Sequence, residues 1–177
     1  MKNRAVNTLK YTGVVTLSQY IGSKKVKIAQ IHNTGGNPLF NFLADCLIGD
    51  FTVAKASMPS KIMLLKRDES AMNGFTSLTD FIHLLTKPEK VYKSETNTTS
   101  VARYSFIISK DMLSSINNFD GFGIGLFTDG ASIDEPWNYA AFCELNLTKN
   151  ALVNSSLVVD WELSFSNVTT EKIDTTE

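Results

Sequence analysis

The most regular hydrophobic pattern lies near the end of the chain, where Leu157, Val159, Trp161, Leu163 and Phe165 alternate with Val158, Asp160, Glu162 and Ser164. Successive side chains of a strand point to opposite faces, so this stretch predicts a strand with one apolar and one acidic face. On a helix the same five residues would scatter around the axis. Burying them contributes on the order of 10 kcal/mol gross, at ~1.5–3 kcal/mol each, as an upper bound. Period-two alternation recurs over residues 10–17, 100–108 and 142–147. Residues 25–31 read as a further strand, joined to the first by Gly22-Ser23.

Residues 122–128 are apolar on one side, while Gly121, Gly123 and Gly125 share the other with Phe127. Glycine weakens a strand unless a backbone or ring must approach closely, so a crowded inner strand is expected there. Helical spacing is clearest over 38–48. Asn37 can cap it, Pro38 suits the first helical position and Gly49 can close the end. Leu39, Phe42, Leu43, Cys46 and Leu47 then form one apolar stripe, to be packed on a sheet edge or an open end. A short helical turn is expected over 110–115, capped by Ser109. Residues 75–85 read equally as helix, from Leu78, Phe81, Ile82 and Leu85, or as a strand ending at Lys87-Pro88. Residues 68–74, 89–99, 128–137 and 148–154 are polar loops. Seven or eight short strands separated by turns predict a mainly β fold: an antiparallel, jelly-roll-like β-sandwich with one short α-helix near 38–48. The domain is placed at 9–167, between a flexible arm (1–8) and a disordered tail (168–177), whose composition buries little apolar surface.

Length and composition agree with that picture. A chain of 177 residues, 43% hydrophobic and 20% charged, can bury a core as one domain without disulfide staples. Seventeen basic residues against eighteen acidic ones leave no charge excess to drive nucleic-acid binding. The short basic clusters (Lys24, Lys25, Lys27; Lys61, Lys66, Arg67) read as solvated faces. Cys46 and Cys143 both sit in apolar runs and are expected as free, buried thiols. No secretory signal and no membrane-length apolar stretch are visible, which implies synthesis in a cytoplasm and no membrane partner.

Candidate chemistry is sparse. His32 and His83 are the two histidines; Asp80 stands three residues before His83, but neither has a nucleophile in a recognisable setting. There is no Cys-x-x-Cys or His-Glu-x-x-His, and Asp120-Gly121 and Asp129-Gly130 lack the remaining ligands of a calcium loop. Gly121, Gly123 and Gly125 do not have dinucleotide-loop spacing, and Gly35-Gly36 serves as a turn into the helix. Asp160 and Glu162 share a strand face ~6–7 Å apart, within reach of glycosidase geometry, but one strand supplies no cleft. That face is read as solvent or subunit contact. In Pro136-Trp137-Asn138-Tyr139 the aromatics suit sugar stacking or protein contact, and equally a fold back over the core. The expectation is therefore a protein with no catalytic, cofactor or metal residues. Trp137, Tyr139, Asp160 and Glu162 are its candidate interaction surface.

Two stretches carry a resemblance. Residues 119–127, a strand at 142–147 and Asn154 to Leu163 resemble the closing half of β-sandwich modules in tailed-bacteriophage virion proteins. The front, from 11–17 through His32-Asn33 to Leu39-Phe40-Asn41-Phe42-Leu43, is similar to small structural proteins of crAss-like phages. The resemblance implies a non-enzymatic virion component, a head-fibre, capsid-associated or tail/collar piece, assembled in the host cytoplasm. Its partners would be copies of itself, as a dimer or trimer, and other virion proteins. The alternative from the residues alone is a carbohydrate-binding module whose glycan stacks on Trp137 and Tyr139.

Overall fold

The computed structural model describes residues 3–50, 52, 58–67, 70, 75–77, 82–83, 89–92, 98–115, 120–128, 139–148 and 155–173. The fold is mainly β and antiparallel, as the alternation predicts. The acidic and apolar stretch opens β10 (Leu157–Ile173), which lies between β1 (Asn3–Ile21) and β7 (Thr99–Ile108). Leu157, Val159, Trp161 and Leu163 are buried and Phe165 half-buried, so the apolar face does point inward.

The β1–β10 pairing runs without a shift from Gln19↔Leu157 to Asn3↔Ile173. This corrects the expected domain bounds: residues 3–8 of the arm and 168–173 of the tail are strand. Residues 1–2 and 174–177 lie outside the described set. The physical reason is that ladder hydrogen bonds hold backbone whatever the side chains are. A hydrophobic pattern reports burial, not the presence of a partner strand across the sheet.

From this pair the sheet grows both ways. β2 (Lys24–Gly35) returns along β1, and β7 is flanked by β6 (Glu89–Tyr92). The second wing contains β3 (Pro59–Arg67), β8 (Asp120–Thr128) and β9 (Ala141–Thr148), with β4 (Phe75–Ser77) and β5 (Ile82–His83) both on β3. The described strands form one sheet in the order β4-β3-β8-β9-β2-β1-β10-β7-β6. β2 is its corner. Most of β2 pairs with β1, but Thr34 and Gly35 pair with Phe142 and Ala141 of β9. A strand that serves both leaves is how a sandwich turns its corner. The curled sheet encloses one core: Val15, Leu17, Phe106, Val159 and Trp161 from one wing meet Ile62, Leu64, Ile124, Leu126 and Cys143 from the other.

Two strands depart from the reading of the sequence. β3 went unread because Ile62, Met63, Leu64 and Leu65 are all buried, so its run shows no alternation. Ile62 and Leu64 enter the main core, while Met63 and Leu65 form a second cluster with Phe127 on the other face. Residues 89–92, expected in a loop, are the edge strand β6, whose four residues are too few to show a period in the sequence. Residues 75–85 are strand in their described parts, β4 and β5; the rest lie outside the described set. β8 is the crowded inner strand foreseen. A Cβ at Gly123 would come 2.5 Å from the Phe142 ring, and one at Gly125 2.3 Å from the Phe127 ring. Aromatic rings lie where side chains would otherwise stand.

Helix α1 (Asn37–Ile48) follows β2 directly. Gly36, not Asn37, is its N-cap, and no side chain caps it; Gly49 closes it in the left-handed conformation, φ 81°. Gly36 donates its amide to the Ala140 carbonyl at 2.8 Å, stitching the β2–β9 corner. A short helix α2 (Lys110–Ser115) is capped by Ser109, whose Oγ accepts from the Met112 amide at 3.2 Å. Leu39 of α1 and Leu113 of α2 join the main core.

A Cβ on Gly36 would sit 2.0 Å from the Tyr139 carbonyl oxygen, whereas the obstacle at Gly125 is a rotatable ring. Urea unfolding should therefore show Gly36→Ala destabilised by about 3 kcal/mol and Gly125→Ala by about 1 kcal/mol. Equal effects would mean that the corner is not held by backbone contact.

Candidate interaction surface

The carboxylates singled out from the sequence project from the outer face of the β1–β10–β7 wing, and both are engaged. Asp160 stands opposite Thr16 and Ser105, and Glu162 opposite Val14 and Arg103. The Ser105 hydroxyl donates to Asp160 Oδ1 at 2.7 Å, and Lys25 Nζ reaches Oδ2 at 2.6 Å. Arg103 grips Glu162 Oε1 through Nε at 3.1 Å and Nη2 at 2.7 Å. On the other wing Arg67 of β3 pairs with Glu144 of β9. Each carboxylate is thus engaged across the sheet by a cation of another strand. These pairs are half-exposed, so each contributes about 1 kcal/mol or less. Their greater effect is to fix register, since a slip by one residue would place charges in the core.

Tyr139 is half-buried. Its ring stacks on Phe142 with centroids 5.1 Å apart, and both pack on the Met63–Leu65–Phe127 cluster. Trp137, its expected companion, lies outside the described residues. His32 is exposed on β2, and Asp80 lies outside the described residues. Among the described residues no group of His, Cys, Asp or Glu is arranged to hold a metal, and no helix is long and apolar enough to cross a membrane. Cys46 and Cys143 are free. Cys46 is half-buried, while burial pushes the Cys143 thiol up to about 12, where it is an unreactive apolar filler.

Large apolar side chains also reach solvent: Tyr20 and Ile21 at the β1–β2 hairpin, Ile107 on β7, and a larger set on α1 and the start of β1. Helix α1 has two apolar faces. Leu39 is buried and Phe42 packs on the core, but Phe40, Ala44, Leu47 and Ile48 recur at i, i+4, i+7 and i+8 on the other side. Leu47 is 86% exposed, Ile48 76% and Phe40 48%. Leu47 was expected in the inner stripe, and the structure turns it outward instead. Phe40 meets Tyr11 of β1 edge-on at 6.4 Å, and Tyr11 packs in turn on Phe165 at 5.6 Å. The Tyr11 hydroxyl donates to Asn33 Oδ1 at 2.5 Å. Leu9, two residues before Tyr11 and so on the same strand face, is 64% exposed. Together these side chains present on the order of 500 Å² of apolar surface, at the upper end for a monomer and typical of an interaction patch. The sequence carried a signal for it in the second apolar stripe of α1.

Comparisons with protein-family models, with curated proteins and with solved structures find no match.

Two outcomes follow from this distribution. Leu47→Ala should leave urea stability within about 0.5 kcal/mol of wild type, whereas Leu39→Ala should lose about 2–5 kcal/mol; similar losses would place the outer face of α1 against the protein's own core. Burial also raises the phenol pKa of Tyr104 to about 12 and that of Tyr11 further still. Folding therefore favours the protonated phenols, and that contribution is complete below the ordinary phenol pKa near 10 and is lost as pH rises through 12. Absorbance titration near 295 nm should show these two tyrosines ionising only together with alkaline unfolding; early, reversible ionisation of all five tyrosines would contradict their burial.

Proposed function

We propose that the protein is a non-enzymatic structural component of a tailed-phage virion, acting through assembly with copies of itself and with other virion proteins. The observation that carries the reading is the contrast between its two kinds of surface. The charged outer face is satisfied internally, through Asp160–Lys25 and Glu162–Arg103, while large apolar side chains at the α1 end stand in water. An enzyme concentrates unsatisfied polar groups in a cleft; an assembly protein exposes apolar surface for a neighbour to cover. The placement in a phage particle, as a head-fibre, capsid-associated or tail/collar piece, rests on the resemblance of residues 119–163 and of the front segment to virion modules. A glycan-binding role draws less support, because Tyr139 spends its ring on Phe142 and the cluster beneath.

Mass spectrometry of purified particles, with quantification against the major capsid protein, tests this reading. It predicts the chain at a fixed, salt-resistant ratio. Abundance in the infected lysate with absence from washed particles would overturn it.

A further inference from the structure

The two longest strands outrun the sheet they organise. β2 leaves β1 after Gly13↔Asn33, and β7 leaves β10 after Ser166↔Thr99, apart from one bond from the Asn167 amide to the Thr98 carbonyl at 3.0 Å. Beyond those points β1 and β10 pair only with each other, through the seven pairs from Leu9↔Asn167 to Asn3↔Ile173. Seven residues of strand extend about 20 Å. Among the described residues this ribbon has no strand neighbour on either side, and apart from the Asn167 amide no ladder partner of its edges is described. An isolated two-stranded ribbon is marginal in water, and proteins commonly blunt such edges with proline, charged side chains, bulges or very short strands. Of these the ribbon carries only charges, at Arg4, Glu171 and Lys172, which leaves residues 5–9 and 167–170 uncharged. Residues 3–9 and 167–173 contain neither proline nor glycine, and the register shows no bulge. Val6, Thr8, Val168, Thr169 and Thr170 are strand formers.

We infer that the ribbon formed by residues 3–9 and 167–173 is an assembly element that pairs edge to edge with the same ribbon of a second copy of this chain. This rests on the assembly function proposed above and assigns that function a surface. A second copy is the fitting occupant because it brings a ribbon of the same length, with the same uncharged stretch over residues 5–9 and 167–170. Area points the same way. A standard interface buries ~800 Å² per partner, and the exposed apolar side chains of Leu9 and of α1, which meets β1 through the Phe40–Tyr11 contact, add to what backbone pairing would bury. The polar face of Asp160 and Glu162 then lies outside the contact, its charges already paired within the chain.

Hydrogen exchange of the full chain at low and high protein concentration, followed by mass spectrometry and paired with light scattering, tests the inference. The expected result is a mass that rises with concentration, together with slowed exchange confined to peptides covering 3–9 and 167–173 and the exposed face of α1. Proline is then placed at Val6→Pro and Asn7→Pro in separate variants. Neighbouring amides of a strand point to opposite edges, so one variant blocks the free edge and the other the β10 ladder. The free-edge variant should keep the wild-type circular dichroism and weaken association by about tenfold or more. Leu9→Lys, at an exposed position, should weaken it too without unfolding the domain. A wild type that associates with no added protection in the ribbon, and whose variants associate equally well, overturns the ribbon interface but leaves the assembly function standing. A wild type that stays monomeric at every concentration overturns the self-association in both.

Discussion

The ladder between β1 and β10 is the constraint on which the rest of this structure depends. It joins the two ends of the chain in one unbroken antiparallel register from Asn3↔Ile173 to Gln19↔Leu157. Each neighbour of the pair is then placed by it: β2 hairpins back along β1, and β7 lies along β10. The corner at Thr34 and Gly35 passes the sheet to β9 and hence to the second wing. Such contacts between distant parts of the sequence require closing a loop of most of the chain before they are rewarded. Folding of this domain is accordingly expected to be cooperative and comparatively slow, with β10 the last strand available to a growing chain.

The two faces of that ladder do different work. Inward, Val15, Leu17, Val159, Trp161 and Leu163 fill a core shared with the opposite wing, and Trp161 lies fully buried between Val15 and Tyr104. Outward, Asp160 and Glu162 are held by Lys25, Ser105 and Arg103. Close packing of the second wing needs the opposite device, an absence of side chains: Gly123 and Gly125 leave room for the rings of Phe142 and Phe127, and Gly36 for the Tyr139 carbonyl. The acidic pair thus appears in the fold as a register lock, and the glycine strand as a bed for aromatic rings.

How much of this could be read from sequence depends on whether a residue's environment differs between its two faces. β10 was legible over 157–165 because one face is dry and the other wet. β3 was not, because Ile62 to Leu65 are dry on both faces and lose the period. The terminal segments were not, because they are held by a partner strand more than 150 residues away. α1 was half legible: its closing Gly49 and its buried Leu39 follow from the pattern, but its N-cap is Gly36 and not the expected Asn37, and two apolar stripes on one helix do not say which is covered. The candidate surface divides similarly. Asp160 and Glu162 were correctly placed on one outer face, but their basic partners come from β2 and β7, far off in sequence. Tyr139 is half-buried, with its ring stacked on Phe142. Leu9, Phe40, Leu47 and Ile48, which carry the proposed interaction, were not singled out, since an exposed leucine cannot be told from a buried one without the fold.

Physical chemistry and proposed role meet at the same end of the molecule, where the ladder continues past its flanking strands and α1 leaves apolar side chains in water. The central claim is that β1 and β10 remain paired along their whole length, beyond the core. Nuclear Overhauser contacts between backbone protons of opposed residues measure this most directly. An unbroken series of cross-strand contacts is expected from Gln19/Leu157 through Asn7/Thr169 to Asn3/Ile173. Contacts that stop near Tyr11/Phe165, with random-coil shifts beyond, would contradict it.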